Sequence, residues 1–385
     1  MAVIQDILNA SRVTKIVSRI RTPGSVLSRH FGMNIGGPNV TQIQGRTYSY
    51  DIYDHVRKVA LGKIPGAPAS AVTVNPVGNN PVVLARSAEK ISMDYEKVAI
   101  IRNIGENAGT QDRMGLRYID KQATTLNQRQ ANFREFVVGS LFNGGISYFT
   151  VSGSDIIPSG YSSSGTLYGA DLKLDSNYKL TGGSYADGLA MDTGSNIITG
   201  TWATASTDIP AQLLGISAGF QQGVGEPLSR IYLDATTWLY VLQNDKVRQL
   251  AGTSQEPFAK NEMTTDKAED GSPTGLMMGT IRGLPWLKFY IYDGGLNLGS
   301  AGTTYTRLFP ASYATFMIEP DSLWFSGVEG SEVVLENDLA TPTEVYGFHA
   351  WMMRKADPAR FELHTLQNFG LELNIPKAVA WARVR

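Results

Sequence analysis

Cysteine is absent from the 385 residues. That removes disulfides, thiolate metal sites and cysteine nucleophiles together. It permits folding in a reducing compartment without requiring it. Histidine is scarce. His30, His55, His349 and His364 are scattered, and no pair has the H-E-x-x-H spacing or shares a helix face, so no metal centre is expected. Charge is thin, at 18% of residues where about 25% is usual. Little charge suits a chain that turns much of its surface toward neighbours. The net charge of -1, with no basic block beyond a mildly basic N-terminal segment, argues against electrostatic nucleic-acid binding as the main task. No apolar run approaches the ~18 residues of a transmembrane helix. Met1 to Asp6 lacks the charged-then-apolar order of a signal peptide. There is no internal repeat and no low-complexity block.

Catalytic signatures are missing as well. The sequence has no G-x-S-x-G, no G-x-x-x-x-G-K-[ST] and no glycine set at the mouth of a strand. Asp266, Glu269 and Asp270 form a carboxylate cluster, but on a polar stretch where a solvated loop accounts for them. Asp357-Pro358 is a turn former before it is a catalytic acid. Trp351 and Trp381 read as core aromatics. No catalytic, cofactor-binding or metal residue is nominated, no cofactor is called for, and an enzyme is not expected.

What is present begins with one long helical signal, about Gly109 to Phe142. Ile119, Ala123, Leu126, Phe133, Val137 and Leu141 recur at three-and-four spacing. Arg113, Arg117, Lys121, Gln122, Gln128, Arg129 and Arg134 fill the other faces. No proline interrupts the run, and Gly144-Gly145 would stop it. One helix over this span would be ~50 Å long at about 1.5 Å per residue, lying on a sheet.

The rest of the chain is β-rich. Hydrophobic content of 42% is ordinary, and this length allows two or three compact units. Residues 1–50 read as an extended arm, broken at Pro23-Gly24 and Gly36-Gly37-Pro38 and too poor in apolar residues to fold alone. Thr47 to Tyr53 alternates with period two, and Ile91 to Ile101 is a second strand. The Gly/Pro/Ala/Asn-rich stretch from Gly62 to Pro81 would be the flexible tip of the large hairpin between them. Residues 146–205 read as short hairpins on a surface. Residues 207–222 read as a helix with Asp208 as N-cap and Pro210 in its first turn. Ser229 to Asp234 is a buried strand and Thr237 to Leu250 a second helix, together an α/β unit. Residues 253–280 read as a mobile polar loop. Strands follow at Gly283 to Asp293 and Thr315 to Pro320, then strands and turns run through Phe348 to Trp351 and end at Val379 to Val384.

This order of parts resembles the major capsid proteins of tailed bacteriophages. Gly283-Leu284-Pro285-Trp286 leading into Tyr290-Ile291-Tyr292-Asp293-Gly294 looks like that family's central strand and turn. Trp351, Asp357-Pro358, Leu366-Gln367, Ile375-Pro376 and Val384 resemble the closing pattern of its lambda-like branch, major capsid protein E. Trp202 before the 207–222 helix, and Trp238-Leu239-Tyr240-Val241-Leu242-Gln243-Asn244, match in order. The resemblance covers most of the chain from about residue 45.

It implies an α+β, Hong Kong 97-like fold. Residues 1–50 would be the N-terminal arm, 51–98 the extended loop, and 99–206 a peripheral domain holding the spine helix 109–142 and the β-rich stretch 146–205. Residues 207–345 would be the axial domain, and 346–385 C-terminal strands returning to both. It implies hexamers and pentamers in an icosahedral shell around packaged double-stranded DNA, bound without sequence specificity. The place would be the virion, with assembly in the host cytoplasm and no membrane. Partners would be a portal, a scaffolding protein made separately (no fused scaffolding extension is visible) and, left open, a decoration protein outside. Some relatives join the loop to a neighbour by a lysine–asparagine isopeptide bond. Of Lys58, Lys63, Lys90 and Lys97, Lys63 alone lies near the loop tip, and no carboxylate stands between Asp54 and Glu89, so a non-covalent shell is expected. The alternative reading is a secreted β-rich hydrolase or carbohydrate-binding protein.

Overall fold

In the computed structural model the described residues are 25–53, 78–94, 113–153, 155–161, 166–179, 189–193, 195–250, 263–267, 273–281, 283–299, 302–334, 343–355 and 360–385. They open with a short helix, α1 (Val26–His30), strand β1 (Val40–Ile43) and the hairpin β2 (Thr47–Ile52) and β3 (Gly78–Val83). Then come β4 (Ala85–Asp94) and the long helix α2 (Arg113–Gly139), which runs on into a 3-10 turn at Ser140–Asn143. Gly144 and Gly145 take left-handed φ of 73° and 84°, which ends the helix where the sequence predicts.

A three-stranded sheet follows, from β5 (Ile146–Ser152), β6 (Asp155–Gly160) and β7 (Thr166–Asp171). The α/β portion holds α3 (Ile209–Gly223), β8 (Arg230–Leu233), α4 (Ala235–Gln243) and α5 (Asp245–Leu250). Strands β9 (Met263–Lys267), β10 (Pro273–Ile281) and β11 (Leu284–Ile291) come next, then the small hairpin β12 (Gly295–Leu298) and β13 (Thr304–Arg307). The chain closes through β14 (Tyr313–Met317), β15 (Phe325–Val334), β16 (Thr343–Tyr346), β17 (His349–Lys355), β18 (Arg360–Leu373) and β19 (Val379–Arg383).

Two six-stranded sheets carry this architecture. The first is ordered β1-β15-β18-β17, with β16 also on β15 and β4 also on β18. β18 is its centre. β4 runs antiparallel along it from Arg360↔Asp94 to Phe369↔Ala85, while β17 and then β15 pair with successive parts of it. The second sheet is ordered β19-β14-β8-β11-β10-β9, with β8 and β11 parallel and the other pairings antiparallel. Helix α2 lies on β18 and β4. Ala123 and Leu126 pack with Met93, Ala350, Met352, Phe361 and Leu363 in a small core. Farther along the helix, Phe133, Phe136, Val137 and Leu141 enter a larger core that reaches both sheets.

Several sequence expectations change here. The arm's last part belongs to its own chain: Leu27, Phe31 and Met33 are buried in the larger core, and β1 runs parallel to β15 with Val40 beside Gly327. Their apolar residues are too few for a domain but enough to seal an existing core. Residues 1–24, the loop residues 54–77 and residues 95–112 lie outside the described residues. Gly78 to Pro81, expected in the loop tip, is strand β3. Asn80 is buried there, donating to the Tyr50 hydroxyl and to the Asp171 carbonyl, both at 2.9 Å. The strand expected from Ile91 is β4, which begins at Ala85 and pairs with β18, while β2 takes β3 as its hairpin partner.

The 146–205 stretch is partly interior. Phe149, Tyr178, Leu189, Ile198 and Trp202 are buried, and the Trp202 indole N–H donates to Gln212 at 2.8 Å. The expected helix over 237–250 is two helices, parted at Asn244. That side chain accepts from the backbone N–H groups of Lys246 and Val247 and donates to the carbonyls of Ala205 and Thr207. It caps α5 and ties it to the chain before α3. The polar 263–281 stretch contains a strand pair, β9 and β10, at the sheet edge, where exposed threonine and lysine hide the strand pattern. The α3 prediction holds, with the Asp208 carboxylate accepting from the Ala211 N–H at 3.0 Å.

Candidate functional site

Among the described residues no group of three or more His, Cys, Asp or Glu is arranged to hold a metal ion. Of the residues the sequence singles out, Lys63, His55, Glu269, Asp270, Asp357 and Pro358 lie outside the described residues. Trp351 and Trp381 are half-buried and not interior. Trp381 stacks on Tyr313 at 4.4 Å and donates to the Phe142 carbonyl at 2.9 Å. Among the described residues three polar clusters tie the largest numbers of groups together.

The first lies under α2. From Gln130 onward nearly every face of the helix is covered, so Arg134, expected on an outer face, is fully buried beside Glu135. A charge in that setting must be paired. Arg134 bonds Glu329, donates to Gln367 at 2.9 Å and to the Met33 carbonyl at 3.2 Å, and lies over the Phe369 ring at 4.7 Å. Burial pushes the guanidinium down, and Glu329 opposes it. Gly347 passes so close to the Glu329 carboxylate that a Cβ there would meet Oε2 at 2.1 Å. Glu135 accepts from the N–H of Leu27 at 2.6 Å and from the N–H and hydroxyl of Ser28, both at 2.9 Å. Burial pushes its carboxyl up to about 7, and those three donors hold it back from rising further. Two adjacent residues of one helix thus grip α1, the first sheet and the 31–34 turn. The signal for them in the sequence is a charged pair set among Phe133, Phe136, Val137 and Val138.

The second place joins α1 to the second sheet. The two ring nitrogens of His30 meet Asp266 at 2.6 Å and the Tyr232 hydroxyl at 2.9 Å. Arg230 lies 3.2 Å from the same His30 Nε2 and pairs with Glu319. Burial lowers the imidazole against the pull of Asp266. Burial would raise Glu319, but Arg230 and Ser229 outweigh it and bring it to about 2. Asp266 therefore answers a buried histidine. The arrangement binds two parts of the chain together, α1 and the second sheet.

The third place is on the first sheet, on the face away from α2. Glu362 has Arg360 at 2.9 Å, His364 at 3.2 Å, Lys90 at 3.4 Å and Lys355 at 3.7 Å. Burial would raise this carboxyl, but His364 and Lys90 outweigh it and hold it below the ordinary value. Trp351 stacks between His349 at 5.5 Å and His364 at 5.1 Å.

The first two are clamps and the third is a charged surface. No protein-family model matches the sequence, and no curated protein matches it. Solved structures do. A candidate prophage capsid protein from E. coli CFT073 is 14% identical, with 98% of this chain and 99% of that chain covered at a TM-score of 0.51. A phage-related protein from Bordetella bronchiseptica RB50 is 10% identical over 96% of this chain and 94% of that one, at 0.46. The mature capsid of bacteriophage PhiM1 is 9% identical over 90% and 84%, at 0.41. The first of these likenesses shows a shared fold: the chain is a mixed α+β protein built, over nearly its whole length, like that candidate prophage capsid protein.

Proposed function

We propose that the chain is the major capsid (head) protein of a tailed double-stranded DNA bacteriophage, self-assembling into the icosahedral shell around the packaged genome. The observation that carries this is the fold shared with a candidate prophage capsid protein over 98% of one chain and 99% of the other. A likeness confined to one domain would leave the role open; this one spans the long helix, both sheets and the hairpin together.

In this reading the first sheet with α2 is the peripheral domain, and the second sheet with α3, α4 and α5 is the axial domain. The extended loop grows from the β2–β3 hairpin, and residues before Ser25 form the arm. The lambda-like closing pattern in the last third supports placing the chain in that branch. Copies of the chain form hexamers and pentamers. A separate scaffolding protein, a portal and the packaged DNA are its partners, with a decoration protein outside as a further one. The protein works in the virion after assembly in the host cytoplasm, and its task needs no chemical step. The secreted hydrolase reading gains nothing from this fold.

Purified protein run on a size-exclusion column and imaged by electron microscopy tests the proposal. Rings or megadalton shells are expected. A monomer or small oligomer that never forms shells, with or without a scaffolding partner, would refute it.

A further inference from the structure

The cations around Glu362 outnumber the charge they answer. Lys90, Lys355 and Arg360 face a single carboxylate, and His364 adds a fourth basic group. The Glu362 side chain is only 1% exposed, yet those of Lys90, Lys355 and Arg360 are 50%, 42% and 32% exposed. The acid is covered by its own cations, which it holds together at the surface; with Asp94 opposite Arg360 in the same row, three lysine and arginine charges meet two carboxylates on this face, a surplus of one. The ladder explains the grouping. Trp351, His364 and Lys90 are directly opposite one another, and so are Lys355 and Arg360, so alternation sends all of them to the face that α2 leaves open. Beside them runs a free edge, since β17 pairs only with β18 among the described residues. The Trp351 indole N–H is buried there without an acceptor.

We propose that this cation cluster and the β17 edge form a docking surface for a carboxylate-bearing extended segment of a second copy of this chain. The inference rests on the shell reading. A chain with 34 basic and 35 acidic residues that gathers a positive surplus here carries matching acidity elsewhere, so a second copy supplies the complement. An edge of alternating backbone N–H and C=O groups suits an added strand, whose alternate side chains reach the Lys355 face. A nucleic acid fits less well. Glu362 at the centre repels phosphate, the histidine is held below its ordinary value by burial, and a phosphodiester uses no β-edge. The contact joins different patches of two copies, the kind that builds rings and lattices.

Zero-length carbodiimide cross-linking of particles assembled from equal parts of light and heavy-isotope subunits tests this. Mass spectrometry should find Lys90 or Lys355 joined to Asp or Glu of the other isotope. Lys90→Ser with Lys355→Ser should keep the subunit folded by circular dichroism and lower particle yield by about tenfold or more, as expected for losing a complementary charged contact. Shells in which these lysines link only within one isotope, or a folded double variant that assembles normally, would overturn the docking surface and leave the shell reading standing. Normal particles that hold less DNA would assign the cluster to phosphodiesters and overturn it too. A wild-type chain that forms no particles would remove both readings.

Discussion

Removing Arg134 should be the most damaging single truncation on α2. Arg134→Ala leaves the Glu329 carboxylate, itself 7% exposed, without its cation. It also strips donors from Gln367 and the Met33 carbonyl and empties the space over Phe369. Breaking a buried pair by deleting one partner costs about 3–5 kcal/mol. At about 2.1 cal/mol/K per residue, a chain of this length would lose about 5 °C of melting temperature for 4 kcal/mol. The companion Arg134→Met with Glu329→Gln removes both charges and should recover most of the loss, because well-packed neutral replacements are often no worse than the pair. Urea midpoints and calorimetry on the isolated subunit give both numbers. If Arg134→Ala moves the midpoint by less than about 1 kcal/mol, the pair is not the clamp described above and the reasoning fails.

Four further outcomes can be measured. Glu135 binds its proton more tightly folded than unfolded, so its contribution is full below the ordinary glutamate range and falls as pH rises to about 7. Melting temperature should decline over that window by an amount worth roughly 3 kcal/mol at most, and Glu135→Gln should flatten the slope; equal slopes would count against it. Leu126→Pro, in the small core under α2, should cost ~3 kcal/mol or more and give insoluble protein or no shells, whereas a normal particle yield would contradict the helix as a strut. Deleting residues 1–40 should unfold the subunit, since Leu27, Phe31, Met33 and the Glu135 partners go with them, while deleting 1–24 should leave it folded; circular dichroism separates the two. Mature particles boiled in detergent should run as one band at the subunit mass, and a ladder that vanishes in Lys63→Ala would make Lys63 reactive instead.

Elements governed by local chemistry were readable in the sequence. Asp208 and Pro210 announce α3, the three-and-four apolar spacing announces α2, and Gly144-Gly145 mark its end. The split at Asn244 was not readable, because its side chain answers carbonyls some forty residues upstream. The β9–β10 pair reads as a loop because β9, at the edge of its sheet, exposes Thr264, Thr265 and Lys267. Arg134 reads as an outer residue because helical periodicity sees one buried face, and here segments distant in sequence cover the others. His30 reads as a scattered residue. It is, along the chain, but β8 and β9 bring Arg230, Tyr232 and Asp266 to it. The free charge around Glu362 also depends on pairing β4, β17 and β18, which no local pattern reports.

The central place of β18 also bears on how the protein is made. β4, β15 and β17 all hydrogen-bond to a strand near the end of the sequence, and the second sheet is completed by β19 later still. Ribosomes extend chains at about 5–20 residues per second, so α2 leaves the exit tunnel tens of seconds at the slower rate before the strand it packs on exists. Through that interval its apolar stripe has no sheet to cover it, which makes the nascent chain a substrate for holding chaperones. A chain cut short before residue 360 can complete neither sheet, so prematurely terminated subunits should be degraded and not built into a growing shell.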